Sequence, residues 1–433
     1  MITIKHQDAL DFLRELPDAS LDALVTDPPS GIAFMGKSWD RHNTYTPRTA
    51  KGTEALRLLS LLGLKAWEVG FVAFMLDIMS QSIRVLKPGS HGLVWALPRT
   101  SDLTCLALRL AGFEIRDSIH HHFGSGFPKS HDVSKGIDAH LGVEREVVGG
   151  RTVASDKWTA EGREALDRGE SSYVIPTSTP TTPQAKRWEG WGSAIKPSHE
   201  VWWLIRKPLT GTLASNVMAW GVGGLNIDAC RVQGGERVNI VPLGKTGNVY
   251  GSGLEGGTAK GTTTQGRWPP NTLFTHSASC TDTTCAEDCP VGELARQSGV
   301  RKSGAPVNAG KVGFANGSFM GGGSGTNQDW AGFDDTGTAA RFFPTFRYSP
   351  KPSRAEREAG CGHLPPRTGA EATGRQEQLG NHHPTVKSID LMRFLVRLIT
   401  PPGATVLDPF TGSGTTALAC VHEGVSFLGC ERE

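Results

Sequence analysis

The pattern of hydrophobic and polar positions over residues 1–125 predicts strands that alternate with helices. The predicted strands are Ile2–Lys5, Leu21–Thr26, Gly92–Ala96 and Glu114–Ile119. Apolar residues recur at helical spacing in the segments between them, which are Ala9–Leu16, Phe71–Leu86 and Thr100–Ala111. Strands separated by helices imply an α/β fold with a mainly parallel sheet that is covered on both faces.

A regular pattern of apolar and polar positions returns in residues 390–431. Apolar residues lie on one side of a predicted helix at Asp390–Ile399, and a short apolar strand follows it. That strand runs into a glycine-rich turn in the segment LDPFTGSGTT, Leu407–Thr416, after which a helix and the strand Val425–Cys430 are predicted. Gly412 and Gly414 would let the backbone turn sharply and lie close against a nucleotide-like ligand.

The middle of the chain is less regular. Residues 130–198 are rich in Gly, Ser, Thr and Pro, whereas His199–Lys207, HEVWWLIRK, is strongly strand-prone. Glycine-rich stretches then recur from about Asn226 to about Gly380. With 433 residues, the chain is long enough for two or three domains.

Composition and charge exclude few classes of function. There are 45 Lys and Arg and 43 Asp and Glu, and the resulting net charge of +2 neither indicates nor excludes a nucleic-acid partner. No apolar run approaches the ~20 residues of a membrane span, and the N-terminus lacks the apolar core of a signal peptide, so the cytoplasm is the expected location. Eight cysteines in a chain of this length do not suggest a disulfide framework.

The segment TDPP, Thr26–Pro29, ends a predicted strand with an acid and two prolines. Ligands of open α/β sheets bind at the carboxyl ends of strands. The Asp27 carboxylate can accept one hydrogen bond from an amino group, and the Pro28 carbonyl can accept a second. Two such acceptors would hold the nitrogen lone pair toward an electrophile. A solvated turn is the alternative interpretation of these residues taken alone.

Four blocks of sequence together resemble the amino-group DNA methyltransferases. They are TDPP, the N-terminal HQDALDFLRELPDASLDALVTDPP that contains it, the segment NHHPTVKSIDLMRFLVRLITPPGATVLDPFTGSGTT, and the closing FLGCERE. The catalytic motif precedes the cofactor motif, which is the β-type, circularly permuted order, and the long glycine-rich middle resembles phage and prophage DNA methylases. The resemblance implies a Rossmann-like fold that uses S-adenosylmethionine, with Ile2–Lys5 beside the strand that ends at Glu431.

The resemblance also implies a division of the chain into three parts. Residues 1–225 would form the catalytic half of the methyltransferase domain, with an irregular insertion at 130–198. Residues 226–380 would form a large inserted target-recognition region, and residues 381–433 would form the cofactor-binding half.

Roles follow for the residues that match the motifs of the family. Asp27, Pro28 and Pro29 match the catalytic motif that grips the target amino group. The residues at cofactor-binding positions are Asp8, Thr385, Lys387, Asp408, Phe410, Gly412, Gly414 and Glu431. Of these, Glu431 matches the acid that binds the ribose hydroxyls, and its position about 20 residues after the glycine turn suits that role.

One position departs from the pattern of the family. The fourth catalytic position, normally an aromatic residue that stacks on a flipped base, is Ser30 here. Phe34 or Trp39 could supply a ring instead, and core packing is the alternative for both. Loss of stacking would remove ~1–3 kcal/mol of base binding. A DNA-binding protein with impaired catalysis therefore stays open as a further interpretation.

The activity implied is the transfer of a methyl group from S-adenosylmethionine to N6 of adenine in duplex DNA, in line and after base flipping. Asp before Pro-Pro favours adenine within the family, and N4 of cytosine is the alternative acceptor. The partners expected are double-stranded DNA, a second copy of the chain and a cognate restriction endonuclease. Arg267 and Arg341 are candidate contacts to bases or phosphates, with solvated arginines as the alternative.

A second chemical motif lies in the glycine-rich middle. His276, Cys280, Cys285 and Cys289 are four borderline-soft ligands within 14 residues, in the order H-x3-C-x4-C-x3-C. They could close a tetrahedral zinc site and organise a region with little core of its own. The spacing is not that of a standard zinc finger, and free thiols are the alternative.

Overall fold

The computed structural model describes residues 1–32, 40–124, 126, 130–154, 164–165, 167–242, 257–281, 283–303, 335–347, 367–368, 378–379 and 387–432. The chain divides into two compact units. The first comprises Met1–Gly124, His199–Ser349 and Ser388–Glu433, and the second comprises Ser125–Ser198 and Pro350–Lys387. None of the helices within these described ranges is long and apolar enough to cross a membrane.

A nine-stranded sheet forms the centre of the described part of the first unit. Its strands in chain order are β1 (Ile2–His6), β2 (Leu21–Thr26), β3 (Leu86–Ala96), β4 (Glu114–His122), β5 (His199–Arg206), β6 (Thr272–Thr275), β7 (Thr345–Phe346), β8 (Thr405–Asp408) and β9 (Ser426–Glu431). Their order across the sheet is β1-β9-β8-β2-β3-β5-β4-β6-β7. All neighbouring pairs are parallel except that β5 is antiparallel to both β3 and β4. The predicted α/β class is confirmed.

Helices connect and cover the strands. In chain order they are α1 (Ala9–Glu15), α2 (Ala50–Leu59), α3 (Ala66–Val85), α4 (Ser101–Ala111), α5 (Val133–His140), α6 (Pro183–Arg187), α7 (Leu213–Trp220), α8 (Pro290–Ser298), α9 (Ile389–Ile399) and α10 (Thr415–Glu423). Leu24 of β2 packs in one core cluster with side chains from α1 and α3. Its neighbours Ala23 and Val25 pack in a second cluster with side chains from α9 and α10. Since successive residues of a strand face opposite sides, both faces of the sheet are covered, as predicted.

The two strands from the C-terminal part of the chain lie between β1 and β2. Ile2 pairs with Phe427 and His6 pairs with Glu431. The prediction that the first strand lies next to the strand ending at Glu431 is therefore confirmed. On the other side, Leu407 of β8 pairs with Leu24 of β2. The circular permutation itself stays a prediction.

Several boundaries differ from the sequence-based expectations. β3 begins at Leu86 rather than at Gly92, because Leu86 already pairs with Leu21 before a register shift. β4 continues through His122, because β5 pairs with it on one side and β6 on the other. Pairing with strands distant in sequence extends both elements beyond what their local patterns indicate.

The target-recognition region expected at residues 226–380 stays a prediction, and its described residues fall in both compact units. Strands β6 and β7 extend the sheet of the first unit at β4. Residues 350–387 group instead with the second unit. Strands β6 and β7 have only four and two residues and carry no periodic pattern of their own, so the sequence did not predict them.

The described part of the second unit contains α5, α6 and an antiparallel hairpin of Val147–Ala154 with Ser172–Ser178. Its buried Asp138 accepts hydrogen bonds from the backbone N–H groups of Thr181 and Thr182 and from Thr182 Oγ1, at 3.1, 3.2 and 2.7 Å. Arg145 lies 3.3 Å from the same carboxylate. This one buried acid therefore joins α5 to the segment that begins α6.

Removal of the Trp202 side chain tests the central position of β5. Trp202 is fully buried, so Trp202→Ala should lower the free energy of unfolding by about 3–5 kcal/mol, because the site cannot collapse around so large a cavity. Urea denaturation measures the change. Trp191 is 60% exposed, and Trp191→Ala serves as the matched control with an expected effect below about 1 kcal/mol. Equal effects of the two changes would contradict the assignment of Trp202 to the core.

Candidate active site

The ends of β2 and β8 are held together by one buried hydrogen bond. Thr26 Oγ1 donates to Asp408 Oδ1 at 2.7 Å, and both side chains are almost completely inaccessible to solvent. The Phe410 N–H donates to the same oxygen at 3.1 Å, and the hydroxyl of Thr416 also bonds to Asp408. The bond from Thr26 places the Asp27-Pro28-Pro29 segment directly beside the glycine-rich turn.

Burial dominates the electrostatics of Asp408. The pKa of its carboxyl is raised to about 7, chiefly by loss of hydration and also by the nearby charge of Asp27, although the hydrogen bonds from Thr26, Thr416 and Phe410 act to lower it. The carboxyl is thus a buried acid whose charge depends on pH near neutrality.

The glycine-rich turn is closed by contacts with the end of β9. The Gly412 N–H donates to Glu431 Oε2 at 2.7 Å, and the Thr411 N–H donates to the Cys430 carbonyl at 3.0 Å. Gly412 and Gly414 have φ values of 52° and 81°, in the left-handed region that favours glycine. An added Cβ on Gly414 would meet no atom within 4 Å, so this side of the turn is open.

Gly414 is also the residue that precedes α10. The unpaired backbone N–H groups at the start of a helix favour polar or negatively charged ligand atoms. The turn therefore presents an open backbone surface at a helix N-terminus, beside the carboxylate of Glu431.

Aromatic rings line the approach from α3. The ring of Phe410 lies 6.1 Å from that of Phe74, and Phe74 stacks on His42 at 4.6 Å. His42 is buried, and loss of hydration lowers its pKa to about 4, so its ring is neutral at physiological pH. Its segment is fastened by buried Asp77, which accepts hydrogen bonds from the Tyr45 hydroxyl at 2.7 Å and the Arg48 N–H at 2.6 Å.

The loop after the Asp27-Pro28-Pro29 segment is organised by another buried acid. Asp40 accepts hydrogen bonds from the Ser30 hydroxyl at 3.1 Å and from the N–H groups of Gly31 and Ile32 at 2.6 and 3.2 Å. Thr100 Oγ1 donates to the Ser30 carbonyl at 2.8 Å. Gly31 has a φ of 75°, and an added Cβ would lie 2.6 Å from the Phe71 ring, so both conformation and space require glycine there.

Comparisons with known proteins bear on the part of the chain that contains this turn. A family model described as DNA methylase matches residues 268–433. The chain is similar to a putative methylase, YubD, of Escherichia coli strain K12, with 37% identity over 68 residues. It is also similar to the type II methyltransferase M.BglI of Bacillus subtilis, with 54% identity over 39 residues.

Residues 268–433 are thus similar to the amino-group DNA methyltransferases.

These likenesses cover small parts of each protein. The match to YubD spans 16% of this chain and 30% of the relative, and the match to M.BglI spans 9% and 11%. Among solved structures, the M1.HpyAVI–SAM complex aligns over 100% of this chain and 94% of its own, with 14% identity and a TM-score of 0.34.

The remaining residues predicted for the site lie as follows. Asp8 caps α1 by accepting from the Leu10 and Asp11 N–H groups at 3.0 and 3.3 Å, and it pairs with Arg48 at 2.8 Å. Lys387 belongs to the second unit. The remaining predicted residues Phe34, Trp39 and Thr385 lie outside the described residues.

The two arginines predicted as candidate DNA contacts share an internal partner, and their contact with DNA stays a prediction. Arg267 and Arg341 both pair with Asp335, the second of them at 2.9 Å, and all three side chains are at most 16% exposed. A buried carboxylate between two guanidinium groups accounts for both residues as a structural network. The sequence could not show this, because Asp335 is distant from Arg267 in the chain and stands in a glycine-rich stretch.

The most important residues missed by sequence reasoning are Asp40 and Asp77. Each is a buried acid that accepts several hydrogen bonds from the chain near the catalytic motif. Neither belongs to a motif of its own. The position of Asp77 within the apolar face of α3 could have indicated its role, because a buried carboxylate needs hydrogen-bond partners.

The raised pKa of Asp408 predicts a specific dependence of stability on pH. Between the ordinary carboxyl pKa near 4 and about 7, the folded protein binds a proton that the unfolded chain releases, so stability falls as pH rises, by up to about 1.4 kcal/mol per pH unit. Asp408→Asn removes this pH-dependent contribution to the free energy of unfolding. Its stability relative to the unchanged protein should therefore increase from pH 4 to pH 7, as measured by denaturation at several pH values.

Asp102, exposed in the first turn of α4, provides the control. Asp102→Asn should change stability by less than about 1 kcal/mol. A constant difference between Asp408→Asn and the unchanged protein over the same range would show that Asp408 is not a buried, titrating acid.

Proposed function

We propose that this protein transfers a methyl group from S-adenosylmethionine to the N6 amino group of adenine in duplex DNA. The observation that carries the proposal is the 2.7 Å hydrogen bond between Thr26 and Asp408. It holds an Asp-Pro-Pro segment and an open glycine-rich turn at the carboxyl ends of adjacent parallel strands, where open α/β sheets bind their ligands. The match of residues 268–433 to a DNA methylase family supports the coarser part of this proposal, methyl transfer to an amino group of DNA.

The glycine-rich turn suits S-adenosylmethionine. The open backbone at Gly414 leaves room for the ligand chain, and Phe410 offers an apolar ring beside it. Glu431 stands at the end of β9, where a carboxylate can accept hydrogen bonds from ribose hydroxyls while it also holds the Gly412 N–H. When bound, S-adenosylmethionine would supply an electrophilic methyl group on a sulfonium.

Asp27 and Pro28 would position the amino group of the target base. The Asp27 carboxylate accepts a hydrogen bond from one N–H, and the Pro28 carbonyl accepts from the other, which directs the nitrogen lone pair outward. The residues thus contribute orientation rather than a covalent intermediate. Orientation of this kind requires a rigid support, which Asp40 and Thr100 provide by fixing the chain at Ser30–Ile32.

The identity of the target base is supported by less than the methyl transfer itself. Asp before Pro-Pro favours adenine, and N4 of cytosine is the second candidate for the same geometry. The third candidate is a DNA-binding protein with impaired catalysis, because the Ser30 side chain bonds to Asp40 and provides no stacking ring. Pairing with a second copy, pairing with a cognate restriction endonuclease and a cytoplasmic location stay predictions.

Identification of the methylated nucleoside distinguishes these candidates. The protein is incubated with isotope-labelled S-adenosylmethionine and duplex DNA, and the DNA is digested to nucleosides for mass spectrometry. We expect N6-methyladenine. Detection of N4-methylcytosine would show that cytosine is the acceptor base. DNA binding without methyl incorporation would support the third candidate, a DNA-binding protein with impaired catalysis.

Replacement of Asp27 tests its role. Asp27→Ala should reduce methyl transfer by roughly 100-fold or more, because the amino group loses one of its two acceptors and its orientation. Binding of S-adenosylmethionine, followed by calorimetry, should change little. Asp102→Ala, at an exposed position on α4, is the control. Retained turnover in Asp27→Ala would refute the proposed role.

A further inference from the structure

The fold brings together four metal-ligating side chains outside the candidate active site. These are His276, which follows β6, and Cys280, Cys285 and Cys289, which lie in the turns before α8. One potential ligand atom from each lies within 4.8 Å of all the others. Nothing in the proposed methyl transfer uses these residues.

We propose that His276, Cys280, Cys285 and Cys289 bind one structural zinc ion. The distances support a single tetrahedral ion. With Zn–S bonds of about 2.3 Å and Zn–N bonds of about 2.0–2.1 Å, a tetrahedral site separates nitrogen from sulfur by about 3.5 Å. His276 Nδ1 lies 3.5 Å from both Cys285 Sγ and Cys289 Sγ.

The surrounding backbone is arranged as a zinc site requires. The Ala286 N–H points at Cys280 Sγ at 3.3 Å, and the Gly292 N–H points at Cys289 Sγ at 3.4 Å. Hydrogen bonds of this kind stabilise metal-bound thiolates and fix their orientation. Gly292 also permits the helix to approach, because an added Cβ there would lie 2.6 Å from Cys285 Cβ.

The chemistry of the ligand set selects the metal. Three thiols and one imidazole with no carboxylate favour zinc over magnesium or calcium, which prefer oxygen ligands. Four protein ligands fill a tetrahedral zinc ion and leave no open position for a substrate. The site is therefore structural rather than catalytic.

The position of the site explains what it would stabilise. It joins the end of β6, an edge addition to the main sheet, to the first turn of α8. Few apolar side chains are buried in this part of the described chain, and the largest of them are Leu273 and Val291. A region with so small a core gains much of its stability from a metal.

Metal analysis and cobalt substitution test the proposal on the full chain. The protein purified without chelator should contain about one zinc ion and no iron. Replacement by cobalt(II) should produce the intense visible absorption of a tetrahedral thiolate site. Removal of the metal should increase hydrogen exchange in Thr272–Ser298 while exchange in β8 and β9 stays unchanged.

Cys285→Ser and Cys289→Ser should each lose most of the bound zinc and the cobalt spectrum. Cys105→Ser, in α4 and outside the cluster, is the matched control and should retain both. The proposal would be overturned if the metal-free protein bound no added zinc and gave no tetrahedral thiolate absorption with cobalt(II). A disulfide among these cysteines under reducing purification would overturn it as well. None of these readouts depends on methyl transfer, so the zinc site can fail or hold independently of the proposed activity.

Discussion

The hydrogen bond from Thr26 to Asp408 is the contact on which the candidate site depends. It joins side chains 382 positions apart and brings two polar loops to one edge of the sheet. Because Asp408 is fully buried, its charge is costly, and the donors around it offset part of that cost. The arrangement of Asp27 beside the glycine-rich turn therefore follows from an interaction that neither motif contains by itself.

The sequence predicted the regular part of the fold well. Helix α9 and strands β2, β8 and β9 were found because their apolar spacing is strong and local. The acids Asp40 and Asp77 were missed, because their partners come from loops and are paired only by the tertiary structure. β6 and β7 were missed for a related reason, since their few residues form strands only at the edge that β4 provides.

Residue type alone did not show which side chains lie close together in the fold. Arg267 and Arg341 looked available for DNA, yet Asp335 engages both inside the protein. His276 and the three cysteines had an irregular spacing, yet the fold brings their ligand atoms within 4.8 Å of one another. In both cases the deciding information is a distance between segments, which linear spacing does not contain. The buried acids and the His276 cluster are thus recognised only from the tertiary structure.

The position of β8 and β9 between β1 and β2 has a consequence for biosynthesis. Chains grow from the N-terminus at about 5–20 residues per second, so roughly 20–80 s separate the synthesis of Thr26 from that of Asp408. Throughout that interval β2 lacks one of its neighbours, and the apolar side chains of Ala23 and Val25 lack the helices that cover them. The contact between the Asp27-Pro28-Pro29 segment and the glycine-rich turn would therefore form only after β8 has been synthesised.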